Sequence, residues 1–311
     1  MGDAARIVLG TAQWGLDYGI ANAVGRPSRD ELRRILDAAA EAGIDTLDTA
    51  RAYGDSEQRI GELAARDRWR VMTKLAPDLL EGTDSAEELV ARTVTSLAES
   101  RRALVRDQLD VVLLHRPEHR HAFGGAAWTF LQERRAAGEI GALGVSALSP
   151  PDAIAALDDD AVQVIQVAAS LLDQRLARVG FFDMAAARGR AVYARSIFLQ
   201  GAALLPIERL PEHLRPLSAE LGRLDRMAAE AGVYRTTLLV GYARQILGTR
   251  VVVGCETVDQ LQGILRSWAA MAGRADVLRW AAASVRPLSD DILEPARWPA
   301  ATRSEARPGP S

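Results

Sequence analysis

The sequence predicts a (β/α)8 barrel, and three observations support that prediction. Short apolar segments alternate with amphipathic helical segments along the chain, which is typical of parallel strands joined by crossover helices. Eight such units can be counted, and 311 residues with 48% hydrophobic content are enough to close them into one barrel. An open doubly wound sheet is the alternative. Such a sheet should carry a G-x-G-x-x-G loop after its first strand, and residues 10–15 lack that spacing.

The predicted strands are short and apolar. They cover residues 5–10, 44–47, 69–74, 109–114, 142–145, 162–167, 191–194 and 250–253. Ser28 with Glu31 three residues later predicts a capping box at the first helix, and Thr257 predicts the cap of the last. Other helices are predicted at 56–65, 85–100, 128–137, from 149–152 onward, 181–188, 218–231 and 236–247. Loops are predicted over 11–27, 205–216 and after 288. The chain 1–311 is predicted to be one domain, with a flexible tail at about 300–311.

Composition narrows the class of function. The net charge is −3 and the charges are mixed along the chain, which argues against nucleic acid or an anionic membrane as the main partner. The single cysteine, Cys255, excludes an internal disulfide and fits a reducing compartment. No signal-peptide pattern or transmembrane-length apolar run is present. We therefore expect a cytoplasmic protein, monomeric or a small homo-oligomer, that acts on a small molecule.

Four titratable residues fall at the ends of three neighbouring predicted strands. Asp48 ends the second strand and Tyr53 lies in the loop after it, while Lys74 and His115 end the third and fourth strands. Catalytic residues of a barrel come from this edge, so the four side chains are predicted to meet at one mouth. Any barrel must also carry polar residues where its strands end, which is the structural alternative for each residue taken alone.

The residue types indicate a proton-transfer site. Lys74 is the only lysine among 38 basic residues, and a buried ammonium held by Asp48 is predicted to lower the pKa of Tyr53. Tyr53 would then deliver a proton to a carbonyl oxygen, and His115 would donate a hydrogen bond to the same oxygen. No residue of the group is a good nucleophile or a redox centre, so the electrons must come from a bound cofactor. A nicotinamide hydride fits such a site.

The sequence resembles the aldo/keto reductase family over essentially its whole length. The matching segments are Leu47-Asp48-Thr49-Ala50, Tyr53-Gly54 with Ser56-Glu57, Thr73-Lys74, Leu113-Leu114-His115-Arg116-Pro117, and Gly138-Glu139-Ile140 with Gly144-Val145-Ser146. The resemblance implies a catalytic tetrad of Asp48, Tyr53, Lys74 and His115, with Tyr53 as the general acid/base. It also implies a small-molecule aldehyde or ketone substrate.

The resemblance further implies the cofactor contacts. Ser146 and Gln166 match positions that hold the nicotinamide carboxamide, and Thr11 lies near its ribose. The segment with Arg195, Ser196, Leu199 and Gly201 matches the part that stacks on the nicotinamide and touches the pyrophosphate. The segment with Gly254, Glu256, Thr257 and Gln260 matches the loop around the adenosine.

Several positions depart from the family pattern. Ala147 replaces the usual Asn after Ser146, and Arg195 replaces the usual stacking aromatic residue. Gly254, Glu256 and Gln260 stand where Arg or Lys often meets a 2′-phosphate. Family frequency favours NADP(H), whereas a carboxylate at Glu256 would favour NAD(H). In a third interpretation, Glu256 only complements the dipole in the first turn of the last helix.

The remaining candidates are less specific. Trp14, Tyr53 and His115 are the predicted substrate contacts, with the region of Trp128 and Trp298 as further candidates for the substrate wall. Glu118, His119 and His121 lie close together but fit no zinc spacing, so no metal is predicted. Two other functions stay open at this stage. One is a catalytically weak nicotinamide-binding regulatory or redox-sensing subunit, and the other is a lyase or isomerase that uses Lys74 as a Schiff base.

Overall fold

A computed structural model describes residues 3–245 and 249–299, and it contains a closed barrel of eight parallel strands in the order β1 to β8. The strands are β1 (Ile7–Gly10), β2 (Thr46–Asp48), β3 (Arg70–Lys74), β4 (Leu109–Leu114), β5 (Ile140–Ser146), β6 (Val164–Ala168), β7 (Ala191–Arg195) and β8 (Thr249–Gly254). β1 pairs with both β2 and β8, which closes the sheet. The predicted (β/α)8 barrel is confirmed, and the open sheet is excluded.

The helices of the described ranges pack outside the strands or above the mouth. They are α1 (Ala12–Gly15), α2 (Arg29–Glu41), α3 (Ser56–Leu63), α4 (Ala86–Leu104), α5 (Ala126–Ala136), α6 (Pro150–Leu157), α7 (Arg175–Arg178), α8 (Phe181–Ala187), α9 (Ser218–Glu230), α10 (Arg235–Gln245), α11 (Val258–Ala270), α12 (Ala275–Ser284) and α13 (Asp290–Leu293). None of these helices has the length and apolar character needed to cross a membrane.

Apolar side chains form one cluster inside the barrel and a second one around it. The inside is packed by Val8, Met72, Val111, Leu113, Ala142, Val164, Tyr193 and Val252. These residues come from strands all around the ring, so the barrel is a packed core with no channel through it. A larger cluster lies between the strands and the surrounding helices and includes Trp14, Ile35, Leu47 and Phe181. Asp48, Lys74 and Ser146 are the last residues of their strands, beyond this apolar packing.

Local structure departs from the sequence predictions at loops and caps. The loop predicted over 11–27 contains α1, and the second strand begins at Thr46 and includes Asp48. Residues 205–216 form short 3-10 helices, and the segment after 288 contains α13. Ser28 caps α2 by accepting from the Glu31 N–H, but Glu31 does not return the bond. The end of the helix predicted to residue 247 and the tail predicted at 300–311 lie outside the described residues.

Candidate active site

A cleft of about 1560 Å³ opens at the carboxyl ends of the strands. Most of the predicted site residues line it: Thr11, Asp48, Tyr53, His115, Ser146, Gln166, Arg195, Ser196, Gly201, Gly254, Glu256 and Gln260. Pockets for drug-sized ligands measure roughly 300–1,000 Å³, so this cleft has room for a dinucleotide together with a small substrate. Its walls therefore gather residues from almost every strand end into one site.

A buried ion pair lies at the base of the cleft. Lys74 Nζ is 2.7 Å from Asp48 Oδ1, and these side chains are only 1% and 5% exposed. Lys74 also donates to the Thr49 carbonyl at 2.9 Å, and Gln166 Nε2 donates to the same Asp48 oxygen at 2.9 Å. The pair thus joins the ends of β2, β3 and β6. Two buried charges are tolerated here because each one is paired and hydrogen-bonded.

Tyr53 and His115 lie directly against this pair. The ammonium nitrogen of Lys74 is 5.0 Å from the centroid of the Tyr53 ring. The Tyr53 and His115 rings meet edge to face, with 6.2 Å between their centroids and an interplanar angle of 88°. The structure therefore brings all four residues of the predicted tetrad together.

The pKa directions correct one prediction. Burial raises the pKa of Tyr53, the Asp48 carboxylate raises it further, and only Arg195 lowers it. We predicted that Lys74 would leave the Tyr53 pKa lowered, whereas its net direction is upward. The reason is that Asp48 balances the charge of Lys74 at 2.7 Å, while burial disfavours a phenolate. The Tyr53 hydroxyl consequently holds its proton more firmly than a free phenol does.

His115 is held neutral. Burial lowers its pKa to about 3, with further lowering from Lys74, Arg116 and Arg195. Its Nδ1 atom is buried without a hydrogen-bond partner. A neutral imidazole offers one donor and one acceptor nitrogen, which suits it to orient a polar group without competing for the proton.

Two sets of contacts fix the Tyr53 loop. The Thr11 hydroxyl donates to the Asp48 carbonyl at 2.9 Å and accepts from Ser56 at 2.7 Å. Gly15 lies so close to this loop that an added Cβ would be 1.8 Å from the Tyr53 carbonyl oxygen. Thr11 therefore uses its hydroxyl to hold the catalytic loop, which leaves that hydroxyl without a free hydrogen for the ribose predicted nearby.

A buried carboxylate secures the outer side of the same loop. Glu57, 2% exposed, accepts from Thr73 at 2.6 Å and from Arg51 at 2.6 Å. Arg51 also pairs with Glu99 at 2.7 Å, and its N–H donates to the Lys74 carbonyl at 3.0 Å. This network ties the loop that carries Tyr53 to the strand that carries Lys74.

The ends of β5, β6 and β7 form a polar face with groups suited to a carboxamide. Ser146 and Gln166 are paired residues on adjacent strands and are 3% and 0% exposed. Gln166 Oε1 is buried and has no hydrogen-bond partner, so an acceptor is left for an N–H donor in the cleft. Arg195 reaches across this face, donating to the Ala147 carbonyl at 3.1 Å and to the Ser196 hydroxyl at 3.2 Å. The residues present therefore fit a nicotinamide.

The loop after β1 meets the segment after β7 above the cleft wall. The Ile20 N–H donates to the Gln200 carbonyl at 2.9 Å. Three non-glycine residues of that segment have positive φ: Ser196 at 62°, Leu199 at 50° and Gln200 at 51°. Such conformations cost energy and concentrate at binding sites. β8 lies between β1 and β7 in the barrel. The Ile20–Gln200 hydrogen bond therefore forms a bridge between the two loops on either side of the β8 end of the cleft.

Several predicted contacts are placed elsewhere by the structure. Trp14 is fully buried in the core that surrounds the barrel, so the prediction that it contacts substrate is wrong. Leu199 is 3% exposed and packs in a second apolar cluster, so it cannot be a cofactor contact by its side chain. Thr257 caps α11 and does not line the cleft. Trp128 and Trp298 are also core residues.

The residues considered and rejected as metal ligands, Glu118, His119 and His121, lie in the loop after β4. His119 is 1% exposed, and Arg120 there donates to His121 at 3.1 Å. Within the described ranges, no group of three or more metal-ligating side chains could hold an ion.

Sequence reasoning missed the structural contacts of four residues in and around the cleft: Gln13, Gly15, Glu31 and Arg51. Gln13 extends over Gly254, so a Cβ added there would be 2.4 Å from its amide atoms. Glu31 Oε1 accepts from the Val258 N–H at 2.6 Å, which explains why it does not complete the box with Ser28. These contacts join segments far apart in the chain, and no local pattern marks them.

Comparison with known proteins agrees with this geometry. The model of the aldo/keto reductase family matches residues 6–283. The chain belongs to the aldo/keto reductase family. Its members named below are oxidoreductases, and the fold and the strand-end residues described above are in keeping with that class.

Relatives extend over different shares of the chain. The chain is 30% identical over 236 residues to D-threo-aldose 1-dehydrogenase from a Pseudomonas species. The matched region covers 64% of this chain and 70% of that protein. The chain is 30% identical over 149 residues to oxidoreductase sirO from Leptosphaeria maculans, covering 47% of this chain and 44% of that protein.

Solved structures share the fold at low identity. The aldo-keto reductase AKR11C1 from Bacillus halodurans, in its holo form, has a TM-score of 0.66 at 19% identity, covering 98% of this chain and 93% of its own. A thermostable aldo-keto reductase, Tm1743, solved with the inhibitor epalrestat, also has a TM-score of 0.66 at 19% identity, covering 89% of this chain and 94% of its own.

The close approach of Gly15 to Tyr53 predicts a position-specific effect. Gly15→Ala should lower the free energy of unfolding by about 1–3 kcal/mol or more, because the added Cβ meets backbone atoms that cannot rotate away. Gly222→Ala in α9 is the control, since its Cβ would have 3.6 Å to the nearest atom. That change should stabilise the protein by about 0.5–1 kcal/mol. Urea unfolding of both variants measures the difference; equal effects would contradict the close approach.

The buried pair predicts non-additive losses. Asp48→Asn or Lys74→Met alone should each lower the free energy of unfolding by about 3–5 kcal/mol, since each leaves one buried charge without its partner. The double variant should lose clearly less than the sum of the two. A double-mutant cycle by urea unfolding measures the coupling, and additive losses would show that the two charges are not paired in solution.

The environment of His115 predicts a pH dependence. Its pKa of about 3 lies below the ordinary 6.5, so the unfolded chain binds the proton first as pH falls. Stability from this group is therefore complete above pH 6.5 and decreases from there toward pH 3. NMR titration should show no protonation of His115 between pH 5 and 8, with His115→Asn to assign the signal. A midpoint near 6.5 would refute this assignment.

Proposed function

We propose that the protein is an enzyme that reduces an aldehyde or ketone by hydride transfer from a nicotinamide dinucleotide, and reversibly oxidises the corresponding alcohol. One observation carries this proposal: the Asp48–Lys74 pair, the Tyr53 phenol and the His115 ring meet in one cleft. Family membership supports the same class of reaction.

Tyr53 is the proposed general acid. Because burial and Asp48 raise its pKa, the phenol is protonated at neutral pH and can give a proton to the carbonyl oxygen. The reverse reaction needs the phenolate, so oxidation of an alcohol should favour higher pH than reduction does. Lys74 and Asp48 position the phenol and supply fixed charges beneath it. Neutral His115 is proposed to orient the carbonyl oxygen by a hydrogen bond.

The proposed cofactor would lie against the face formed by β5 to β8. Ser146 and Gln166 would hold the carboxamide, and the anchored Arg195 guanidinium would stack on the ring. When bound, the reduced nicotinamide supplies the hydride that no side chain here can provide. The protein contributes the proton, the orientation of both reactants and the exclusion of water.

The substrate class is argued from the site and from one relative. Tyr53 and His115, which both line the cleft, fit a carbonyl or a carbinol as the reacting group. The relative from Pseudomonas is named for dehydrogenation of D-threo-aldoses at carbon 1. Aldoses, tested as substrates for oxidation, therefore belong in the same panel as aldehydes and ketones tested for reduction.

Replacement of the phenol tests the proposal. Tyr53→Phe should lower kcat by about 10²–10⁴-fold with the dissociation constant of the nicotinamide little changed, because only the proton donor is lost. Tyr242→Phe, which removes a phenol outside the cleft, should keep full activity. Turnover on the panel and cofactor fluorescence measure the two quantities.

Two outcomes would contradict the proposal in different ways. An active Tyr53→Phe enzyme would refute the role of Tyr53. Tight nicotinamide binding with no turnover on any carbonyl or alcohol would instead indicate a redox-sensing subunit.

A further inference from the structure

The reacting residues and the loop after β8 lie at different parts of the cleft. The tetrad gathers at the ends of β2, β3 and β4, whereas Gly254, Glu256 and Gln260 line the cleft beyond β8, followed along α11 by Ile264 and Ser267. A dinucleotide with its nicotinamide at Tyr53 must place its other nucleoside along this second part. The side chains there would then meet the adenosine ribose, where NAD and NADP differ only by a 2′-phosphate.

The first feature of this region is a buried carboxylate. Glu256 is 9% exposed; burial raises the pKa of its carboxyl, and the neighbouring amides of Gln260 and Gln13 partly lower it. None of the described residues forms an ion pair with Glu256. Glu256 precedes the N-cap Thr257, so it lies just before α11 and not in its first turn. The side chains beside the carboxylate are neutral amides, and they leave its negative charge without a cation.

The second feature is that the N–H groups around the start of α11 are already bonded within the protein. The Glu256 N–H donates to Gln260 Oε1 at 2.7 Å, and the Gln260 N–H donates to the Thr257 hydroxyl at 3.2 Å. The Val258 N–H donates to Glu31 at 2.6 Å. A helix start with free N–H groups attracts phosphate. Here all three N–H donors are already bonded. The Val258 N–H is bonded to a second carboxylate, that of Glu31.

A cation offsets Glu31 but not Glu256. Arg34 is bound to the outer oxygen of Glu31 at 2.6 Å. Arg266 lines the cleft and has no ion pair among the described residues, but it lies about 12 Å along the helix axis from Val258. Its Nη2 atom is 3.9 Å from the position of a Cβ at Gly263, one turn back along α11.

We propose that this end of the cleft is built for an adenosine ribose with a free 2′-hydroxyl, so that the enzyme binds NAD(H) in preference to NADP(H). Glu256 accepts the hydrogen bond of the 2′-hydroxyl, as an acidic residue does in other NAD sites. The Glu256 carboxylate repels a 2′-phosphate, whose charge at pH 7 is about −1.5 to −2. This inference rests on the proposed function, and it departs from the cofactor that family frequency favours.

Binding to the unaltered protein is the first test. Dissociation constants of NADH and NADPH are measured by fluorescence, and those of ADP-ribose and 2′-phospho-ADP-ribose by competition or calorimetry. We expect NADH to bind at least about tenfold more tightly than NADPH, which is the effect of one well-placed polar interaction. The two ADP-ribose fragments should show the same ratio, because the discrimination arises at the adenosine end.

A matched pair of variants assigns the effect to Glu256. Glu256→Gln keeps the shape of the side chain and removes its charge, so NADPH should bind more tightly and the ratio should fall about tenfold. Asp259→Asn removes the same charge from an exposed residue of the same helix start that does not line the cleft, and its ratio should be unchanged. Thermal unfolding checks that both variants are folded.

The results separate this inference from the proposed function. Tighter binding of NADPH by the unaltered protein would overturn the inference and leave the function standing, and an Arg266→Ala variant that then loses NADPH would assign the phosphate to Arg266. Equal effects of Glu256→Gln and Asp259→Asn would also overturn it. Failure to bind either dinucleotide would overturn the proposed function and the inference with it.

Discussion

The buried Asp48–Lys74 ion pair is the interaction on which the site depends. It joins the ends of three strands, with Gln166 as a third member, and both Tyr53 and His115 are placed against it. A buried pair of this kind adds little net stability compared with apolar packing, but it is costly to disrupt. Its value lies in fixing which strands face one another at the mouth. The proton chemistry proposed for Tyr53 follows from that arrangement.

The fold and the central site could be predicted from sequence because both depend on local patterns. Strand and helix periods gave the eight units, and the parallel arrangement then placed Asp48, Lys74 and His115 at one edge. What failed depended on contacts between distant segments. Trp14 was expected at the substrate because it lies in a predicted loop, yet α1 turns it into the core. Glu31 fitted a capping box, but a helix start 227 residues away binds it instead.

The pKa of Tyr53 could not be predicted either, for a different reason. Residue types show that an ammonium stands near a phenol, but not that a carboxylate at 2.7 Å balances it or that the site is buried. Those two facts reverse the direction of the pKa change. The same argument applies to Glu256 at the other end of the cleft. The sequence does not show that this carboxyl is buried or that its neighbours are the neutral amides of Gln13 and Gln260.

The contact between Ile20 and Gln200 bears on the rate at which ligands are exchanged. One backbone hydrogen bond links the loops of β1 and β7 across the end of β8, in a segment already under backbone strain. If the proposed dinucleotide lies beneath this contact, it could leave only after the loops separate, whereas a small substrate could pass through the open mouth. Cofactor exchange would then be slower than substrate exchange, and the loops would set the pace of the catalytic cycle.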